Sequence, residues 1–140
     1  MSCWITAGSW PRRYAKPGRP GPRARSLGAV IVDRPGRIIA RGRNQTARRR
    51  DPTAHAEVVA LRRAISCLGP EVRWDWTLYS TLEPCPMSLG MAVMLHVGGL
   101  VWAAPDRRAG AADLLAANPY MRRHRDGMEV VACPDPVPAR

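Results

Sequence analysis

Two short segments of this 140-residue chain hold residues that could do chemistry together. In DPTAHAEVVAL (Asp51–Leu61), His55 and Glu57 stand two apart, directly after Asp51-Pro52-Thr53. A ring nitrogen of His55 can bind a metal while the Glu57 carboxylate reaches a water on that metal, the pairing needed to move a proton during hydrolysis. In TLEPCPMSLGM (Thr81–Met91), Cys85 sits between Pro84 and Pro86 at the head of an apolar segment. A helix N-terminus at that point favours the thiolate form that zinc requires.

The elements around these residues follow from periodicity and punctuation. LGAVIVD (Leu27–Asp33) and RIIAR (Arg37–Arg41), joined by the turn residues Arg34-Pro35-Gly36, predict a hairpin. Ala54–Leu68 carries Val58, Val59, Leu61, Ala64, Ile65 and Leu68 at helical spacing and stops at Gly69-Pro70. A strand over Trp76–Thr81, a helix over Pro86–Val97 ended by Gly98-Gly99, and a strand over Leu100–Ala104 follow. A short helix over Ala109–Ala117 and a strand over Met128–Ala132 complete the order ββαβαβ(α)β. Strands separated by helices need crossovers, so the sheet is expected to be parallel in large part after its opening hairpin.

Composition bounds the partners. With 46% hydrophobic and 24% charged residues the chain is a folded protein of one domain. Its net charge of +11 is uneven: residues 1–50 hold 13 basic groups and one acid, while residues 51–140 hold 9 and 10. Residues 1–25, rich in Pro, Gly and Arg, are expected to form a disordered basic arm. The globular part then spans 26–133, with a tail at 134–140. Arg outnumbers Lys 21 to 1 and Phe is absent, which reads first as codon usage and second as a preference for phosphate. No apolar run is long enough to span a membrane, and the four cysteines have no small-scaffold spacing, so a cytoplasmic protein without a disulfide framework is expected.

The order H-x-E…P-C is part of the signature of zinc nucleobase deaminases. From about Leu27 to Ala132 the chain resembles the cytidine and deoxycytidylate deaminase-like superfamily, on its branch of tRNA adenosine deaminases and bacterial nucleoside and guanine deaminases. Asp51–Ala54, His55-Ala56-Glu57, Thr81–Cys85 and Arg108–Ala112 carry the resemblance. It implies an α/β fold, a three-layer α/β/α sandwich on a mixed five-stranded sheet. It also implies one zinc ion per chain on His55 and Cys85, Glu57 as the proton shuttle, and Asn44 and the Ala56 N–H as contacts to the base. The implied substrate is a nucleobase, a nucleoside, or an adenosine or cytosine in tRNA or another single strand. The implied assembly is a homodimer.

One position departs from the pattern. Where the family carries its third metal ligand, this chain has Ser88. A neutral hydroxyl binds zinc far more poorly than a thiolate, so a weakened or lost metal site is expected. Two readings compete: a deaminase weakened by Ser88, and a catalytically impaired protein that keeps the fold to bind nucleic acid through its Arg-rich segments. Arg48-Arg49-Arg50, on a loop beside the pocket, would serve the second. His96 is expected to pack or lie at an interface and His124 to be on the surface. Met87, Met91 and Met94 are expected in the core or on a subunit face, Trp74, Trp76 and Trp102 in the core or an interface, and Glu83 either lining the pocket or capping backbone.

Overall fold

A computed structural model of the chain describes residues 28–68 and 75–132. The expected basic arm, the tail, Trp74, Cys3 and Cys133 lie outside the described residues. Strand β1 (Gly28–Val32) turns at Asp33–Arg37 into β2 (Ile38–Arg43). Gly36 takes the turn's positive φ of 90°, and its N–H reaches the Asp33 carbonyl at 2.9 Å. After a one-turn helix, α1 (Thr46–Arg49), come α2 (Ala56–Leu68), β3 (Thr77–Ser80), α3 (Pro86–Met94) and β4 (Gly99–Trp102). The chain then forms α4 (Leu114–Ala117), α5 (Pro119–Arg125) and β5 (Glu129–Ala132).

The five strands form one mixed sheet in the order β2-β1-β3-β4-β5. β1 is antiparallel to both β2 and β3, while β3, β4 and β5 run parallel. Parallel pairing therefore begins one strand later than the hairpin alone suggested. The register aligns Ala40, Ile31, Leu78, Leu100 and Val130 across the sheet. That row belongs to the same core as Ala60, Leu61, Ala64, Leu89, Val93 and Leu115 of the helices. Trp76 and Trp102 are buried in it, as expected for core residues.

Three local departures have clear causes. Helix α3 stops at Met94, before Gly98-Gly99, because His96 adopts a left-handed φ of 53°. Its N–H bonds the Val93 carbonyl at 3.0 Å and the Val97 N–H bonds the Ala92 carbonyl at 3.1 Å, the double bond pattern that closes a helix. The Arg48–Arg50 segment is not a plain loop: Arg48 and Arg49 belong to α1 and Arg50 caps it at φ 51°. α5 has no counterpart among the expected elements, although Asn118 caps it by accepting from the N–H groups of Tyr120 and Met121, with Pro119 as its first residue. Of the methionine stripe, Met91 packs against the core while Met87 and Met94 are exposed. Among the described residues, no helix is long and apolar enough to cross a membrane.

Candidate active site

Helix α2 starts where the chain must press closest against the sheet. A Cβ on Gly42 of β2 would overlap the Ala56 carbonyl oxygen and lie 2.6 Å from the Ala60 nitrogen, so only glycine lets the first turn of α2 settle there. The loop leading in is fixed by Asp51, whose Oδ1 accepts from the Thr53 N–H at 2.8 Å and the Thr53 hydroxyl at 2.6 Å. The Thr53 hydroxyl, then its N–H, hold the Asp51 carboxyl below the usual carboxylate range. Burial works against them, and Arg62 and Arg49 add to the lowering. The His55 carbonyl accepts the first helical bond from Val59 at 2.9 Å, which puts His55 at the cap and Glu57 in the first turn.

Cys85 occupies the matching position on α3. It caps the helix in extended geometry, with Pro86 as the first residue, and its carbonyl takes the Leu89 N–H at 2.9 Å. The two helix starts converge. Cys85 Sγ lies 3.4 Å from His55 Nδ1 and 3.6 Å from Ser88 Oγ. The Ser88 hydroxyl donates to Glu57 Oε2 at 3.2 Å, and the Ser80 hydroxyl, from the end of β3, donates to Glu57 Oε1 at 2.6 Å. Glu57, Ser80 and Ser88 are all buried. A buried carboxylate is costly unless its oxygens have partners, and here both do.

A cleft above this cluster is lined by Asn44, His55, Ala56, Glu57, Leu82, Glu83, Cys85, Asp106 and Ala109. The structure therefore brings together every residue singled out for the site, with Ser88 buried beneath. Asn44 Oδ1 is engaged by the N–H and hydroxyl of Thr46, at 3.0 and 2.8 Å, so its amide NH2 is what remains for a ligand. Ala56, at the first position of α2, has a backbone N–H without an intrahelical partner. Glu83 both lines the cleft and ties backbone. Its carboxylate accepts from the N–H groups of Asp106 and Ala112, each at 3.1 Å, and so holds the β4–α4 loop as the far wall.

Sequence reasoning missed Ser80, Leu82, Asp106 and Ala109. Leu82 and Ala109 carried a signal, since they lie in the Thr81–Cys85 and Arg108–Ala112 segments of the family resemblance. The contact of Ser80 with a residue 23 positions away has no local signature.

The amino-acid pattern and the geometry both match a known family. The family model for the cytidine and deoxycytidylate deaminase zinc-binding region matches residues 13–104. The chain belongs to that deaminase family. It is similar to a solved structure of a tRNA:A34 deaminase, an enzyme of A-to-I editing at the wobble position, with a TM-score of 0.67 and 34% identity over 76% of this chain and 81% of that one. It is 47% identical over 79 residues to the guanine deaminase of Bacillus subtilis, covering 56% of this chain and 45% of that protein. It is also 46% identical over 94 residues to a tRNA(Ile)-lysidine synthase of Deinococcus radiodurans, covering 64% of this chain and 16% of that protein. This family member thus spans less than half the length of either curated relative.

The family implies zinc, and the described residues meet that demand in position more than in kind. Donors of a tetrahedral zinc at about 2.0–2.3 Å lie about 3.6 Å apart, close to the 3.4 Å from His55 Nδ1 to Cys85 Sγ and the 3.6 Å from Cys85 Sγ to Ser88 Oγ. Only two of those three are strong ligands. Among the described residues no group of three or more His, Cys, Asp or Glu side chains is arranged to hold a metal ion. The site fits a weakly held zinc, with a hydroxyl where a second thiolate would complete it.

Proposed function

We propose that this chain is a hydrolytic nucleobase deaminase whose activity is limited by metal loading. The carrying observation is that Glu57, fixed by two serine hydroxyls, shares one cleft with the His55–Cys85 pair. His55 and Cys85 would hold zinc, with Ser88 as a weak third donor, and bound zinc would supply an activated water. The chain's own groups do the rest. The Asn44 amide and the Ala56 N–H donate to acceptors on the base edge, and Leu82 gives an apolar wall. Glu57 takes the proton of the attacking water and passes it to the departing amine. Water oxygen adds to the amino-bearing ring carbon, the C–N bond breaks, and the products are the oxo base and ammonia.

The substrate class is an amino-bearing base, free, in a nucleoside or in a single strand. Among relatives of known structure, one is a tRNA:A34 deaminase and another is a guanine deaminase. A homodimer, supported by the exposure of Met87 and Met94 on α3, and a cytoplasmic location are part of the same proposal. The competing reading, a nucleic-acid-binding protein without catalysis, is favoured by one specific observation: the hydroxyl of Ser88 at the ligand position.

One experiment separates the two. Zinc content and ammonia release are measured on guanine, cytosine, adenine, their nucleosides and a tRNA, for the native chain and for Ser88→Cys, with zinc titrated. Metal-limited catalysis gives release that rises with zinc in the native chain, and higher occupancy and rate in Ser88→Cys. No release from either form would leave the binding reading standing, and equal full occupancy in both would remove Ser88 as the limit.

A further inference from the structure

Asn44 reaches the cleft from the short link between β2 and α1, and it is exposed to solvent there. An exposed asparagine amide can take several rotamers, and can offer a ligand either its oxygen or its NH2. Thr46 removes both freedoms. Its N–H donates to Asn44 Oδ1 at 3.0 Å and its hydroxyl donates to the same oxygen at 2.8 Å. A backbone N–H can only donate, so the atom it meets must be the oxygen, since a reversed amide would set NH2 against N–H. The oxygen is thereby engaged twice, and the cleft meets a donor.

Thr46 is itself pinned. It is the first residue of α1, so its N–H has no intrahelical partner and is available to Asn44. Its carbonyl accepts the Asp51 N–H at 3.1 Å, and the buried Gln45 beside it donates its N–H to the Ala54 carbonyl at 2.9 Å. Both of those bonds run to the turn that delivers His55. Thr46 therefore uses its N–H and hydroxyl on Asn44 and its carbonyl on the α2 entry, which registers the base-facing amide against the His55 side of the cleft. Fixing a side chain in its bound conformation beforehand lowers the ordering cost of binding.

We propose that Thr46 is a positioning residue of the cleft: it holds the Asn44 amide as a one-way donor and so prepares the site for a base edge with an acceptor at that point. The kinetic half of its test rests on the deaminase reading, and the other half needs neither zinc nor turnover.

The lock is read first on the full chain without metal or base, by NMR relaxation of the Asn44 side-chain NH2, identified by its absence from Asn44→Ala. Its order parameter should be near about 0.85 in the native chain and fall below about 0.6 in Thr46→Val, which keeps the shape and lacks the hydroxyl. Thr46→Ser should stay near the native value. Equal order in the native chain and Thr46→Val would overturn the proposal. Kinetics follow in the Ser88→Cys parent with zinc added. Asn44 would contact the base alike in the ground and transition states, so Thr46→Val should raise KM about fivefold to tenfold with kcat nearly unchanged, the weight of one hydrogen bond. Thr46→Ser should keep the parent's KM. Because Thr46 acts through Asn44, Thr46→Val should add nothing in an Asn44→Ala background. The same rise in both backgrounds would assign Thr46 to the fold alone and overturn the proposal. No ammonia from the parent on any base would sink the deaminase reading, and the relaxation result would then decide this one.

Discussion

The two helix starts that build the cleft are alike in construction and unlike in completeness. α2 enters through an Asp51–Thr53 turn and presents His55, Ala56 and Glu57, all three in the cleft lining. α3 enters through Pro84-Cys85-Pro86 and presents Cys85, and then Ser88 at the position where the proposed zinc site would take a second thiolate. The backbone treats both alike, since Ser88 is fully buried and its oxygen lies at ligand distance from Cys85. Placement and donor chemistry are therefore separable in this fold. A serine nearly isosteric with cysteine preserves the first and alters the second, and its hydroxyl donates to Glu57.

The comparison is sharpest at Glu57, the residue both helix starts address. With Ser88→Cys as the parent, Glu57→Ala should lower the rate of ammonia release by about 10²–10⁴-fold, the usual weight of a positioned acid–base group. Zinc content should stay unchanged, because His55 and both cysteines remain. A rate that survives the substitution would mean that the α2 side is not the complete one.

Next in size is Gly42→Ala, which attacks placement and leaves every donor in position by type. The added methyl would meet the backbone of Ala56 and Ala60, so α2 must shift. The expected loss is about 1–3 kcal/mol of stability by denaturant unfolding, together with lost activity in the Ser88→Cys parent. Ser80→Ala is expected to be gentler. It strands Glu57 Oε1 and should cut turnover about tenfold with KM nearly unchanged, consistent with the cost of one unmade buried hydrogen bond. Restoration by Ser80→Thr would mark Ser80 as a positioning residue, since a purely packing role would not need the hydroxyl.

How much of this was readable from the amino-acid order depends on the range of the contact that decides it. Asp51–Glu57 and Pro84–Pro86 encode their own turns and caps, so His55, Glu57 and Cys85 could be placed by local chemistry alone. The mixed five-stranded sheet also followed, from short runs of strand formers between turns and helices and from the family resemblance, although the buried β1 and β4 show no alternation. Ser80 could not be read, because its partner is set by the meeting of β3 and α2. The end of α3 misled for another reason: two glycines stood ready as a stop, but His96 took the left-handed conformation, which is uncommon outside glycine and asparagine. In α5 a basic run, MRRHR, hid a helix that Asn118-Pro119 announces.

The smallest expected effect tests the α2 entry turn itself. Asp51 has its carboxyl held below its ordinary value of 3.8, first by the Thr53 hydroxyl and then by the Thr53 N–H. A depressed folded value means the unfolded chain binds a proton first as the pH falls. The stabilisation is whole above about 3.8 and is lost progressively as the pH drops through the lower folded value. Asp51→Asn keeps an acceptor for Thr53 without the titration, so its unfolding midpoint should vary less with pH than the native chain's below that point. The two should run parallel near neutrality. Because this turn sets the direction from which His55 arrives, the variant's zinc affinity in the Ser88→Cys parent should stay close to that parent's. A large drop there would show that the α2 side depends on the charge of Asp51 as well as on the shape of its turn.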